Sequence, residues 1–235
     1  MYKLNYIWIL LTGLFISGCS KDPIPESIDL GFDYFPTEIG RYNVYQVDSI
    51  SYNDFFTPVK IDTTHFQIME LLESNFKDNE GRECQRIERY IRASQNSAWV
   101  LRNVFYQVRT AVQAERIEDN VRFVRLSFPI QENQKWNGNA YNSFEKSNYQ
   151  YKEVDQKKMV KGKNFDSTLV VNQKLDSNLI EKNYQVEIYA KHVGLIFKKY
   201  IDVQDKSSSI LPLPFSQRID AGFDYTYQLI ESGKK

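Results

Sequence analysis

The sequence predicts an all-β, mainly antiparallel protein: a single curled sheet that forms a barrel, a half-barrel or a sandwich, with at most one or two short helices. Apolar and polar residues alternate with the period of two that a half-buried strand requires. In the clearest case, Phe223, Tyr225, Tyr227 and Leu229 share one face. Residues that favour reverse turns separate the alternating segments, and little helical pattern lies between them. Successive reversal of this kind favours antiparallel pairing.

The predicted strands follow one another along most of the chain. β-Branched and aromatic residues are frequent in them, as is usual for strands. We expect strands over Tyr42–Tyr52, Lys60–Leu72, Glu83–Ala93, Trp99–Val112, Ala114–Phe128, Tyr149–Val154, Ser167–Leu175, Tyr184–Tyr200 and Phe223–Ile230. In the segment 184–200, Val186 and Ile188 alternate with Gln185 and Glu187. The two polar side chains are therefore expected on the opposite, polar face.

Turn chemistry agrees with this strand order. Three short segments supply residues that tolerate positive φ where one strand must reverse into the next: Asp78–Gly81, Asn137–Gly138 and Lys161–Asn164. The prediction allows one or two short helices, with Met69–Phe76 and Asp176–Lys182 as candidates. The longest predicted loop, 206–215, is polar and then apolar. We expect it to fold over an open barrel end; the alternative is a surface for a protein partner.

The N-terminus has the order of parts of a bacterial secretory signal. Lys3 supplies a positive charge, the run 7–16 is almost wholly apolar, and small residues lead into Cys19. The stretch Ile16–Cys19 resembles a lipobox, the motif at which bacterial lipoproteins are cut before a cysteine that carries acyl groups such as palmitate. The resemblance implies cleavage between Gly18 and Cys19 and a mature chain attached to a membrane by lipid.

Two other interpretations of this N-terminus compete with the lipobox. A transmembrane helix needs about 20 apolar residues, whereas Thr12 and Gly13 interrupt this run. An ordinary secretory signal would require a cysteine at this position by chance. We therefore predict a signal peptide over 1–18, a lipidated cysteine and flexible tether over 19–33, and one β-rich domain over 34–235. The predicted location is the outer membrane, on its periplasmic face or at the cell surface.

Two further stretches carry a family resemblance. The segment Phe35–Tyr45 has the pattern FPxxxGxYxxY, and the segment Tyr189–Ile196 has the pattern YAxxVGLI. Both resemble stretches of outer-membrane lipoproteins of the Bacteroidota whose function is unknown. The resemblance implies a β-sheet lipoprotein and carries over no catalytic residue.

Composition excludes some classes of partner. Without Lys3, the mature chain carries 29 basic and 30 acidic residues. A nucleic-acid-binding surface needs a concentration of positive charge, so nucleic acid is not expected as a partner. With Cys19 lipidated, Cys84 is the only thiol left and no internal disulfide can form. Cys84 is expected in a strand, as a small buried hydrophobe rather than a nucleophile.

Motifs for catalysis or metal binding are scarce in the sequence. Its two histidines, His65 and His192, are far apart and do not form a zinc motif. The sequence has no nucleophile elbow, phosphate loop or calcium loop. No metal and no cofactor is therefore expected. Folding can still bring carboxylates together for hydrolysis, and Glu115, Glu118 and Asp119 are the candidates.

Binding is easier to support than catalysis. A curled sheet with many aromatic residues can enclose an apolar ligand. Trp99 and Trp136 are alternative candidates for stacking on sugar rings, although Trp136, next to a predicted turn, equally fits the closure of a barrel end. A lysine cluster around one predicted turn is expected to be a solvated hairpin tip rather than a membrane contact: Lys152, Lys157, Lys158, Lys161 and Lys163.

The sequence therefore predicts a lipid-anchored, non-enzymatic binding module of the cell envelope. Its expected partner is an apolar ligand, a glycan or an envelope protein. The alternative from another class is a secreted hydrolase with carboxylates brought together by folding.

Overall fold

Twelve β-strands form a single sheet in the computed structural model, which describes residues 29–206 and 213–235. The strands are β1 (Arg41–Asn53), β2 (Lys60–Lys77), β3 (Glu83–Arg92), β4 (Val100–Arg109), β5 (Gln113–Glu118), β6 (Val121–Ser127), β7 (Lys135–Asn137), β8 (Asn148–Val160), β9 (Lys163–Ser177), β10 (Glu181–Ala190), β11 (Gly194–Gln204) and β12 (Ala221–Lys234). Two short 3-10 helices, Phe32–Tyr34 and Phe215–Gln217, accompany them. The predicted all-β, antiparallel class is confirmed.

The sheet curls until its two edges meet. The strand order is β6-β5-β4-β3-β2-β1-β12-β11-β10-β9-β8-β7, so the first and last strands pair in the middle and β6 and β7 form the edges. At the seam between those edges, the Val124 N–H donates to the Gly138 carbonyl at 2.9 Å. The Trp136 indole N–H donates to the Val124 carbonyl at 3.0 Å. These bonds replace a regular ladder and leave the sheet nearly closed into a barrel.

Two of the predicted strands are wrong because each contains a reversal. The segment Ala114–Phe128 is a hairpin whose turn residues, Asp119 and Asn120, have φ of 50° and 65°. Two consecutive positive φ values match the tight turn that suits the twist of a hairpin. The segment Tyr184–Tyr200 likewise reverses at His192, with φ of 63°. These turns are short and contain no proline, so the apolar pattern of the sequence continues almost unbroken across them and the reversals cannot be recognised from it.

Neither candidate helix forms. Met69–Phe76 lies inside β2, where Met69 pairs with Val44 of β1 and Tyr90 of β3. Asp176–Lys182 comprises the end of β9, a turn and the start of β10. Pairing on both sides satisfies the backbone donors and acceptors of these segments, so nothing favours a local helix. Within the described residues, no helix is long and apolar enough to cross a membrane.

The segment that precedes β1 packs inside the curled sheet. Tyr34 and Phe35 are buried in an apolar cluster with side chains of β5, β6, β8, β9 and β10. The Arg109 guanidinium donates to the carbonyls of Phe32 and Phe35 at 3.1 and 2.9 Å. The Gln107 amide donates to the Pro36 carbonyl at 2.9 Å. This segment therefore covers part of the barrel interior and helps to enclose the site described next.

Several predictions concern residues outside the described part of the chain. The signal peptide, Cys19 and most of the tether lie before residue 29, and most of the predicted loop 206–215 also falls outside. At the described start, Asp29 forms an ion pair with Lys191 at 3.0 Å. The N-terminal predictions remain predictions.

Candidate functional site

A cavity of about 140 Å³ lies within the curled sheet. Strands β1–β6 and β10–β12 contribute side chains to its wall, and Phe35, Pro36 and Val193 contribute from the segments that cover it. Space of this size holds several water molecules or one small organic molecule. We call it the central cavity.

The wall of the central cavity is charged as well as aromatic. Seven charged side chains joined by ion pairs, here called the charge network, line it: Glu70, Arg89, Arg116, Glu118, Arg125, Glu187 and Lys198. Five tyrosines line the same space: Tyr42, Tyr45, Tyr189, Tyr225 and Tyr227. A polar network therefore occupies the middle of the barrel, beside a core cluster that is rich in aromatic residues.

Strand geometry places these charges inside. Residues two apart in a strand face the same side, and Glu70 lies between Ile68 and Leu72 in β2. Arg89 lies between two isoleucines of β3 in the same way. A charged residue with apolar neighbours on both sides at this spacing is directed towards the core. This spacing is a local sequence signal for a charged residue that faces the core.

Glu187 contradicts the sequence prediction directly. It was assigned to the polar face of its strand, yet it is only 2% exposed and lines the central cavity. Val186, on the opposite face, is also buried. Because both faces of β10 are covered here, the apolar residues did not indicate which face meets the interior.

One half of the charge network is electrically balanced. Arg116 lies 2.6 Å from Glu70 and 2.6 Å from Glu118. Arg89 lies 2.6 Å from Glu70 and 3.5 Å from Glu118. We call these two carboxylates and two guanidinium groups the balanced half. Each charge in it has two partners of opposite sign.

The other half has an excess of positive charge. Glu187 is its single carboxylate, with Arg125 at 3.5 Å and Lys198 at 3.4 Å, both measured to the same oxygen. The Tyr189 hydroxyl donates to the other oxygen of Glu187 at 2.6 Å. We call Glu187, Arg125 and Lys198 the positive half. Its only ion pair with the balanced half joins Arg125 to Glu118 at 3.7 Å.

The network keeps its carboxylates ionised. Burial alone raises the pKa of Glu70, but the positive charges of Arg116 and Arg89 outweigh it and lower that pKa to about 2. Glu118 and Glu187 follow the same rule: burial opposes the shift, nearby arginines and Lys198 outweigh it, and the pKa of each carboxyl is lowered. All three carboxylates therefore carry negative charge at neutral pH.

The hydroxyl groups of the cavity tyrosines differ in their hydrogen bonds. The Tyr45 hydroxyl donates to the Leu195 carbonyl at 3.0 Å. No hydrogen bond of the Tyr225 or Tyr227 hydroxyl occurs within the described residues. Burial is the main cause that raises the pKa of Tyr225 to about 12. Both hydroxyls therefore stay protonated at neutral pH and can bond to a molecule in the cavity.

Neither tryptophan proposed for ligand stacking lines the central cavity. Trp136 sits at the barrel seam, packed on Tyr149 and Tyr151 with ring centroids 5.9 and 4.3 Å apart. Trp99 is partly exposed, with the Arg92 guanidinium 4.2 Å from its ring centroid. The two rings therefore do not form one aromatic platform.

The candidate residues for catalysis are dispersed. His65 bonds to Asp48 at 2.7 Å, and the exposed His192 lies 3.7 Å from Asp33. Cys84 is fully buried, and burial raises the pKa of its thiol. No group of three or more metal-ligating side chains occurs in residues 29–206 and 213–235.

The three candidate carboxylates of the hydrolase alternative are not assembled into one site. Glu115 is fully buried, paired with Arg82 at 3.3 Å and with Arg122, and does not line the central cavity. Asp119 is exposed in the β5–β6 turn. Only Glu118 reaches the cavity.

The lysine cluster forms part of the β8–β9 hairpin. Lys157 pairs with Asp166 at 3.2 Å, and Lys158 pairs with Glu153. Neighbouring acidic residues therefore neutralise part of its charge.

Neither a protein-family model nor a curated protein sequence matches this chain. The resemblance to Bacteroidota lipoproteins rests on Phe35–Tyr45 and Tyr189–Ile196 alone and stays a prediction. The charge network is therefore the feature from which a function must be argued.

Proposed function

We propose that this protein is a lipid-anchored binding module of the bacterial cell envelope that holds a small polar molecule in its central cavity. The charged and tyrosine-rich wall of that cavity is the observation that carries the proposal. Cys19 supplies the anchor after removal of residues 1–18, and the resemblance to outer-membrane lipoproteins of the Bacteroidota supports attachment to the outer membrane. The role is binding rather than catalysis.

The charge of the wall supports a polar ligand over the apolar one expected from sequence. An acyl chain in the cavity would strip water from Arg125 and Lys198 without supplying a hydrogen bond. Leaving buried charged groups unsatisfied in this way costs several kcal/mol by the usual order of magnitude. A polar molecule replaces the lost water contacts.

The ionisation of the carboxylates supports binding over hydrolysis. A glycoside hydrolase needs one carboxylic acid that stays protonated near neutral pH, which requires a raised pKa. Glu70, Glu118 and Glu187 all have lowered pKa values. None of them suits the role of general acid.

Native mass spectrometry of the full-length protein, purified in detergent from its own host, tests the proposal. We expect a co-purifying small molecule that is lost on unfolding. The denatured mass should show a chain that begins at Cys19 and carries acyl groups. Leu72→Phe, which adds volume at the cavity wall, should lower ligand occupancy. Leu71→Phe, at the neighbouring position outside the cavity wall, should not.

Two results would oppose the proposal. A wild-type protein that carries no ligand and gains no mass from a host extract would overturn the binding role. An unprocessed N-terminus without acyl groups would overturn the anchor.

A further inference from the structure

We propose that the ligand of the central cavity is a small organic anion, whose carboxylate or phosphate group binds between Arg125 and Lys198. Its body lies against the rings of Tyr225 and Tyr227. This inference rests on the proposed function and specifies the ligand class.

The two halves of the charge network differ in net charge. The balanced half contains two carboxylates and two guanidinium groups, so its charges cancel. The positive half contains two cations and one carboxylate and keeps one positive charge in excess. A cation away from bulk water is costly unless an anion accompanies it. A bound monoanion would balance the excess positive charge of the charge network.

Geometry locates the anion. Arg125 and Lys198 approach one oxygen of Glu187 at 3.5 and 3.4 Å, which is longer than a well-formed hydrogen bond. A guanidinium group has five N–H donors and an ammonium group three, so most donors of this pair are not used by Glu187. Arg125 also interacts with Glu118 and Tyr149, so an anionic group beside Glu187 would receive mainly the donors of Lys198.

The tyrosines define the rest of the site. The Lys198 ammonium lies 6.0 Å from the centroid of the Tyr225 ring. Tyr225 is itself stacked on Tyr200, with centroids 4.8 Å apart and planes 2° from parallel. This stacked pair presents a fixed aromatic face, and Tyr227 lines the same cavity. A ligand with a flat or apolar body attached to its anionic group matches this surface.

Isothermal titration calorimetry with three matched probes tests the inference. Benzoate and phenyl phosphate carry the anionic group on a ring, and benzamide carries a neutral group of similar shape. We expect one or both anions to bind about tenfold or more tightly than benzamide, because hydrogen bonds to a charged group are strong. Benzoate and phenyl phosphate distinguish a carboxylate ligand from a phosphate ligand.

The matched variants are Lys198→Met and Lys199→Met. Lys199 follows in the same strand, bonds to Asp224 and Thr226, and does not line the cavity. Lys198→Met removes the excess charge but leaves Glu187 paired with Arg125, so the fold should persist. We expect it to weaken binding of the anions about tenfold, while Lys199→Met leaves their binding unchanged.

The outcomes separate this inference from the proposed function. Equal binding of benzamide and the anions, or unchanged anion binding in Lys198→Met, would overturn the anionic ligand. If native mass spectrometry also finds a neutral co-purified molecule, the binding role stands and only the ligand class is wrong. Absence of both a co-purified molecule and probe binding would overturn both proposals.

Discussion

The balanced and positive halves of the charge network share one cavity but differ in their geometry. In the balanced half, Arg116 lies 2.6 Å from each of its two carboxylates. In the positive half, Arg125 and Lys198 both lie about 3.4–3.5 Å from a single oxygen of Glu187. Short contacts with matched charges indicate a group that stabilises the fold. Long contacts with excess charge indicate a group available to a ligand.

This difference matters because a buried charge is stable only when nearby groups replace the water that it has lost. A carboxylate inside a protein needs a cation or several hydrogen-bond donors to replace water. Glu70 has that replacement within the protein, from Arg89 and Arg116. Arg125 and Lys198, in contrast, share one oxygen of Glu187 at 3.5 and 3.4 Å. The comparison thus divides one network into a structural part and a binding part, which substitutions can separate.

The largest expected effect is on stability, from Arg116→Met. This change leaves Glu70 and Glu118 in the cavity with fewer cationic partners. Breaking a buried ion pair by removing one partner typically costs about 3–5 kcal/mol. Urea unfolding should therefore show a loss of that size, whereas Lys198→Met should cost only about 1 kcal/mol, the usual value for a single substitution. Equal losses in the two variants would contradict the division of the network.

The second-largest expected effect is a loss of folding stability in acid, through the balanced half. The pKa of Glu70 is about 2 in the folded protein, against 4.5 in its ordinary environment. The folded state therefore takes up this proton less readily than the unfolded state, so the stability from Glu70 is complete above about pH 4.5 and is lost as the pH falls towards 2. A difference of this size corresponds to about 3 kcal/mol.

Urea midpoints measured between about pH 6 and 2.5 would test this pH dependence. We expect Glu70→Gln to flatten the acid side of the profile, and Glu83→Gln, a change at an exposed position, to leave it unchanged. A wild-type profile that coincides with that of Glu70→Gln would show that Glu70 does not carry this stability.

A smaller effect should come from the hydroxyl that supports the positive half. Tyr189→Phe removes the donor 2.6 Å from Glu187 and leaves that oxygen without its bond. We expect a loss of about 2 kcal/mol in urea unfolding, typical of a hydrogen bond to a charged group. Tyr225→Phe removes a hydroxyl that has no hydrogen-bond partner in residues 29–206 and 213–235, and it should change stability by less than about 0.5 kcal/mol. The reverse order would mean that Tyr225, not Tyr189, holds the network.

Sequence reasoning located most of the strands but not the site. The period of two in Phe223–Leu229 predicted β12 correctly, and Cys84 is buried as expected. The hairpin at Asp119 was missed because its turn is only two residues long. Of the carboxylates considered for a site, only Glu118 lines the cavity.

The sequence by itself determined the strand period and many of the reversals, because these depend on neighbouring residues; the lipid anchor is a prediction from the same kind of local pattern. Only the tertiary structure decided which charges meet. Arg116 and Glu70 are 46 residues apart in the chain, and Arg125 and Glu187 are 62 apart. Strand order and register across the curled sheet decide which of these side chains meet. Neither the strand order nor the register can be predicted from a short segment of sequence.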